Sequence, residues 1–177
     1  MPLYRAEAAR MILIVSGPIG AGKSAAAREL VERIADGVAY IEGDQFWPFI
    51  AKESKSQKPP ARFTMTIRAM LSAAWHYHRD DYNVIVDFTI PAGYVPAVKK
   101  LLRGEPFHYA VIRPSMEVCA NRAASRAEGA IADYSRYQDF YAEFYTDDER
   151  TIEDDAADPK EIADRIWQGL KDGRFLM

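Results

Sequence analysis

Gly17-Pro18-Ile19-Gly20-Ala21-Gly22-Lys23-Ser24 satisfies the pattern G-x-x-x-x-G-K-[ST] without a gap. The spacing suits one chemistry. A nucleoside triphosphate carries several negative charges, and backbone N–H groups can surround them only where side chains stay out of the way. Glycines clear that space and permit unusual backbone angles. A helix opening at Lys23 turns its positive end toward the phosphates. The Lys23 ammonium can then reach the outer phosphates, and the Ser24 hydroxyl can ligate magnesium. ATP and Mg2+ are the expected ligands, with Gly17, Pro18, Ile19, Gly20, Ala21, Gly22, Lys23 and Ser24 as the cradle.

Such a cradle needs a strand before it and a helix after it. Residues 11–16 (MILIVS) form a continuous apolar run, as expected of a parallel strand covered on both faces. Ala27, Leu30, Val31 and Ile34 recur at helical spacing over 23–36, and Gly37 stops that helix. Further strands are expected at 38–41, 83–88, 107–112 and, as a short fifth, 150–153. Between them, helices are expected at 62–80, from Pro96 to Gly104, from Ser115 as a long helix, and at 137–145. Asp158-Pro159-Lys160-Glu161 gives the last helix an N-cap, a first-turn proline and a capping-box glutamate. Residues 1–10 read as a polar lead-in. Residues 45–61, aromatic and then Pro-rich, read as a flap. The alternation predicts a single-domain, three-layer α/β sandwich with a five-stranded, mostly parallel sheet and helices on both faces.

The totals narrow the partners. The 177 residues suffice for one domain with a real core. The net charge of −3 argues against a large nucleic-acid footprint. The single cysteine, Cys119, cannot make an internal disulfide and reads as a small buried hydrophobe. The run at 11–15 is too short for a membrane span or a signal-peptide core, so the cytoplasm is the default location. A monomer and a homodimer are both compatible with the sequence.

The order of these features resembles the small P-loop kinases related to shikimate, gluconate and chloramphenicol kinases, within the nucleoside-monophosphate-kinase fold. The likeness covers about residues 11–171. In addition to the P-loop, three stretches carry it. Glu42-Gly43-Asp44, followed by a nearby Pro48, is similar to the Asp-Gly-Asp of gluconate-kinase-like members. The resemblance implies that Asp44 faces the acceptor hydroxyl as general base or orienter, a role suited to a carboxylate beside the transferred phosphoryl. Val84-Ile85-Val86-Asp87 resembles a Walker B strand, which implies that Asp87 holds magnesium beside Ser24; contact with the acceptor is the alternative. Arg122 and Arg126 share one helix face. They fall where related kinases have a helical lid, here about 122–136, whose arginines fold over the triphosphate.

Plainer readings stand beside these. Asp44 can cap the following helix, Asp87 can be an ordinary strand end, and Arg122 and Arg126 can form a solvated face paired with Glu117 and Glu128. The gluconate-type histidine is replaced by Phe46-Trp47, and no shikimate-binding glycines follow the third strand, so neither substrate is assigned. Phe46, Trp47 and Phe49 can wall an acceptor site, although such clusters are more often core. Residues 45–68 are the expected substrate flap. The favoured function is transfer of the γ-phosphoryl of ATP to a hydroxyl of a small-molecule acceptor. The alternatives are a GTPase or NTPase switch, a kinase acting on a macromolecule such as a nucleic-acid end, and a nucleotide-binding module without chemistry. No Asn-Lys-x-Asp supports the first of these.

Overall fold

The computed structural model describes residues 10–52, 54, 61–127, 129–145 and 149–177. The lead-in before Arg10, part of the flap (53 and 55–60) and Glu128 lie outside the described residues. Five strands form one parallel sheet in the order β2-β3-β1-β4-β5: β1 Ile12–Ser16, β2 Val38–Glu42, β3 Asn83–Asp87, β4 His108–Ile112 and β5 Thr151–Ile152. β1 and β3 are buried along their whole length. That is why both read as unbroken apolar runs, and not as alternating ones.

The pleat assigns each strand residue to a face. Leu13, Val15, Ile85, Ala110 and Ile112 pack with Ala26, Ala27 and Leu30 of α1 (Lys23–Val31) and Ile162, Ala163 and Ile166 of α6 (Pro159–Lys171). Ile12, Ile14, Val84, Val86 and Val111 pack on the other side with Ile67, Met70, Leu71 and Ala74 of α2 (Ala61–Arg79) and with Val98, in α3 (Val95–Leu101). Side chains such as Leu30 and Ile166, removed from water entirely, each contribute about 1.5–3 kcal/mol. The same alternation sends Asp87, two residues beyond Ile85, to the α1 face. The expected layers and sheet are therefore present.

Several boundaries differ from expectation. α1 ends at Val31 because the chain turns through Arg33 and Ile34, whose amides bond to Leu30 and Val31 carbonyls. α4 (Met116–Ala124) has nine residues, not the long helix expected from Ser115. The Ser115 side chain does cap it, accepting from Val118 N at 3.3 Å. Among the described residues, the expected lid stretch is helical only at its ends: α4 stops at Ala124, and a 3-10 turn, Ser135–Tyr137, leads into the five-residue α5, Gln138–Ala142. The capping box of α6 forms as read, with Glu161 N donating to Asp158 Oδ1 at 2.8 Å and Asp158 N to Glu161 Oε2 at 3.0 Å. A further segment was not anticipated. Tyr109 N donates to Phe175 O and Met177 N to Phe107 O, so the chain's end runs antiparallel beside the start of β4.

Candidate active site

The phosphate motif forms the turn between β1 and α1, at the carboxyl edge of the sheet. β1 has β3 on one side and β4 on the other. Successive connections leave in opposite directions there, and the crevice that opens is where such sheets take ligands. Gly17 and Gly20 have φ of +145° and +85°, and a Cβ on either would stand 2.1 Å from a carbonyl oxygen, that of Ile112 or Cys119 respectively. Packing against the end of β4 at Gly17 and against α4 at Gly20 thus forces glycine where phosphate binding also requires it. Tyr134 braces the loop from outside, its hydroxyl donating to Ile19 O at 2.6 Å.

Lys23 opens α1 and is only 9% exposed. Its Nζ donates to Pro18 O at 2.9 Å, an oxygen that also accepts from Ala21 N. Burial holds the Lys23 ammonium below the ordinary lysine range, against the upward pull of Asp87 and Asp44, while Arg126 adds to the downward push. An ammonium so placed gains from any anion that comes within reach.

A cavity of about 310 Å³ opens above the loop, walled by Gly20, Gly22, Lys23, Ser24, Ala25, Glu42, Asp44, Arg122 and Arg126. It brings together the lysine, the serine, one acidic candidate and both arginines. Asp44 sits in a 3-10 turn, Gly43–Phe46, directly after β2. Trp47 Nε1 donates to Asp44 Oδ1 at 3.2 Å, which orients the carboxylate. Arg122 Nη1 lies 3.5 Å from Ala21 O and Nη2 3.4 Å from Asp155 O. Asp87 is not among the residues that line this cavity and is 4% exposed. It is the carboxylate that acts most strongly on Lys23, and its Oδ2 accepts the Tyr40 hydroxyl at 3.0 Å. Burial first, and Asp87 second, push the Tyr40 hydroxyl well above the usual phenol range.

The residues fit a nucleotide polyphosphate and a divalent cation. The cradle excludes side chains, a buried ammonium faces it, and an alcohol and a carboxylate suit a hard cation. No cluster of three or more acidic, histidine or cysteine side chains that could hold a metal occurs among the described residues. Cys119 takes no part: it is fully buried, and burial pushes its thiol up to about 11.

Sequence reasoning gave no site role to Tyr40, Glu42 and Tyr134, Glu42 entering only as part of the Glu42-Gly43-Asp44 stretch. The first two could have been found, because period two puts Val38, Tyr40 and Glu42 on the face that leads to Asp87. Tyr134, in an irregular stretch, carried no signal. Phe49 is 78% exposed, outside any core, whereas Phe46 and Trp47 are half-buried. A larger cavity, about 720 Å³, lies at the opposite strand ends, near Met11, Asn83 and His108. It holds none of the phosphate motif, so the smaller cavity is the candidate site.

A family profile described as AAA domain matches residues 12–142. No match is found among curated proteins. Among solved structures, a tunicamycin resistance protein from Deinococcus radiodurans is 21% identical, with a TM-score of 0.70, over 94% of this chain and 98% of that one. An APS kinase from Mycobacterium tuberculosis, in complex with AMPPNP and APS, is 18% identical, with a TM-score of 0.65, over 92% and 98%. A gluconokinase from Sinorhizobium meliloti is 21% identical, with a TM-score of 0.61, over 94% of each chain. The fold is thus that of the small P-loop kinases. No helix among the described residues is long and apolar enough to cross a membrane.

Proposed function

The chain belongs to the AAA domain family, and from that premise we propose that it is a phosphotransferase moving the γ-phosphoryl of ATP to a hydroxyl of a small-molecule acceptor. The observation that carries this reading is the cavity in which Lys23, Ser24, Asp44, Arg122 and Arg126 meet. A passive binding module has no use for a carboxylate facing the lysine across the phosphate site. In a kinase, that is where the attacking hydroxyl must be prepared.

In this mechanism the loop amides and Lys23 hold the triphosphate. Ser24 and Asp87 are the residues that would hold magnesium, which when bound neutralises phosphate charge. Asp44 orients the acceptor hydroxyl and takes its proton as the new O–P bond forms and the bond from the γ-phosphorus to the bridging oxygen breaks, releasing ADP. Arg122 and Arg126 offset the charge on the migrating phosphoryl. Catalysis is then mostly positioning and charge stabilisation. The chain acts as a single domain, with 45–68 as acceptor flap and 122–136 as lid.

The direct test is incubation of the purified protein with ATP, Mg2+ and a panel of hydroxyl-bearing metabolites and antibiotics, followed by mass spectrometry. One product carrying one added phosphate, formed only when ATP is present, is expected. Hydrolysis of ATP at the same rate with and without every acceptor would overturn the reading in favour of an NTPase.

A further inference from the structure

Beside Asp44 the crevice changes character. Five aromatic side chains from five separate segments meet there: Trp47 after the 3-10 turn, Phe63 in α2, Phe88 directly after Asp87, Tyr94 before α3, and Phe140 in α5. Phe63 is the hub. It stacks on Phe88 at 5.5 Å and 28°, and meets Tyr94 and Phe140 edge-on at 5.4 and 6.1 Å. Trp47 joins through Phe88 at 6.0 Å. Phe88 is buried, while Trp47, Phe63, Tyr94 and Phe140 remain half-buried, so the array presents ring surface to the outside.

One contact ties this wall to the chemistry: Trp47 Nε1 donates to Asp44 Oδ1. A hydroxyl placed at Asp44 therefore has the rest of its molecule lying against the rings. Two guanidiniums near the wall are engaged. Arg62 lies over the Trp47 ring at 5.1 Å and donates to Trp47 O at 3.4 Å. Arg113, 7% exposed, donates to Phe144 O at 2.7 Å and is paired with Glu153. An acceptor bearing a carboxylate or phosphate against the rings would have to draw Arg62 or Arg113 from its partner or reach Arg126 in the adjoining cavity, whereas an apolar ring needs no counter-charge.

We propose that the acceptor is an uncharged alcohol with a flat apolar ring, seated on Trp47 and Phe63 with its hydroxyl toward Asp44. This rests on the kinase reading above and names the substrate class of the same site. Ring-on-ring contact provides both the affinity and the orientation.

The test uses the full chain with a non-hydrolysable ATP analogue and Mg2+. Naphthalene-1-methanol, sorbitol and gluconate are titrated separately while the indole N–H resonances of Trp47, Trp75 and Trp167 are followed by NMR. Naphthalene-1-methanol should shift the Trp47 resonance saturably and leave those of Trp75 and Trp167 in place. Phe63→Ala should weaken that binding about tenfold. Phe63→Leu, which keeps the apolar volume but not the ring, should fall between and serves if the alanine variant does not fold. Saturable binding of sorbitol or gluconate in preference to the aromatic alcohol, or transfer of phosphate from ATP to gluconate, would overturn the inference and leave the kinase reading standing. A chain that does not bind the ATP analogue would overturn the kinase reading itself, and the inference with it.

Discussion

The two sides of the crevice are built on opposed principles. On the phosphate side the chain withdraws its side chains. Gly17, Gly20 and Gly22 present backbone, and one buried ammonium supplies charge. On the far side of Asp44 the chain advances its largest side chains, Trp47, Phe63 and Phe88, and supplies shape. A polyphosphate is small, flexible and highly charged, so amide dipoles and a cation recognise it regardless of what it is attached to. An alcohol has little charge to recognise, so contact area must distinguish it. The difference teaches that, in the proposed reaction, the two ends can be tuned separately, with Asp44 at the border.

The largest effect is expected at that border. Asp44→Asn should lower turnover by about 10²–10⁴-fold and leave the affinity for an ATP analogue within about twofold. Steady-state kinetics beside calorimetry would read both. Equal turnover would remove Asp44 from the mechanism and move the border elsewhere.

Next comes the phosphate side. Gly20→Ala should cost about 3 kcal/mol or more, from overpacking and left-handed strain together, because its Cβ would sit 2.1 Å from Cys119 O at a φ of +85°. Gly93→Ala, whose Cβ meets nothing within 4 Å, is the control and should stay within about 0.5 kcal/mol. Urea titration compares the two. Similar midpoints would break the claim that phosphate-side glycines are dictated by packing as well as by ligand.

Lys23 offers a finer test through pH. Its ammonium is held below the ordinary value of 10.5, mainly by burial. A lysine that binds fewer protons folded than unfolded makes stability rise with pH between its lowered value and 10.5. Phosphate binds the charged form, so nucleotide affinity should fall over the same window. Lys23→Met should remove both trends. It should abolish the nucleotide-induced shift in melting temperature, yet the protein alone should melt no lower and up to about 1 kcal/mol more stable. A variant that melts well below the parent would mean that the ammonium is a structural support.

The smallest effect belongs to Tyr40→Phe. Its hydroxyl donates to Asp87 at 3.0 Å, so loss should cost about 1 kcal/mol. If Asp87 serves the cation, the variant's Mg2+ requirement should change with its ATP affinity held fixed.

The same contrast explains what could be read in advance. The phosphate side was legible because its pattern lies in eight consecutive residues, between an apolar run and an amphipathic one. The capping box of α6 was legible for the same reason. The strand order was not, since nothing local tells β1 that its neighbours are β3 and β4. Of the aromatic wall only Trp47 was weighed in advance, beside Phe46 and Phe49; Phe63, Phe88, Tyr94 and Phe140 were hidden because they are spread along the chain and each looks like ordinary core. Gly43 was matched by resemblance, but its physical reason is distant: a Cβ there would meet the Phe88 ring at 2.4 Å and Met70 Sδ at 2.8 Å. Gly169 is similar, holding space for Phe175. Contacts of that kind depend on tertiary closure.

The contact between Lys23 and the Pro18 carbonyl has one more consequence. That oxygen is an internal rival for the same donor that a phosphate seeks. Arrival of the nucleotide is an exchange of partners, not a simple gain, so the heat released should be smaller than a count of new contacts suggests. Departure of the product is eased to the same degree, because the donor has somewhere to return. A loop wired in this way trades tenacity for turnover.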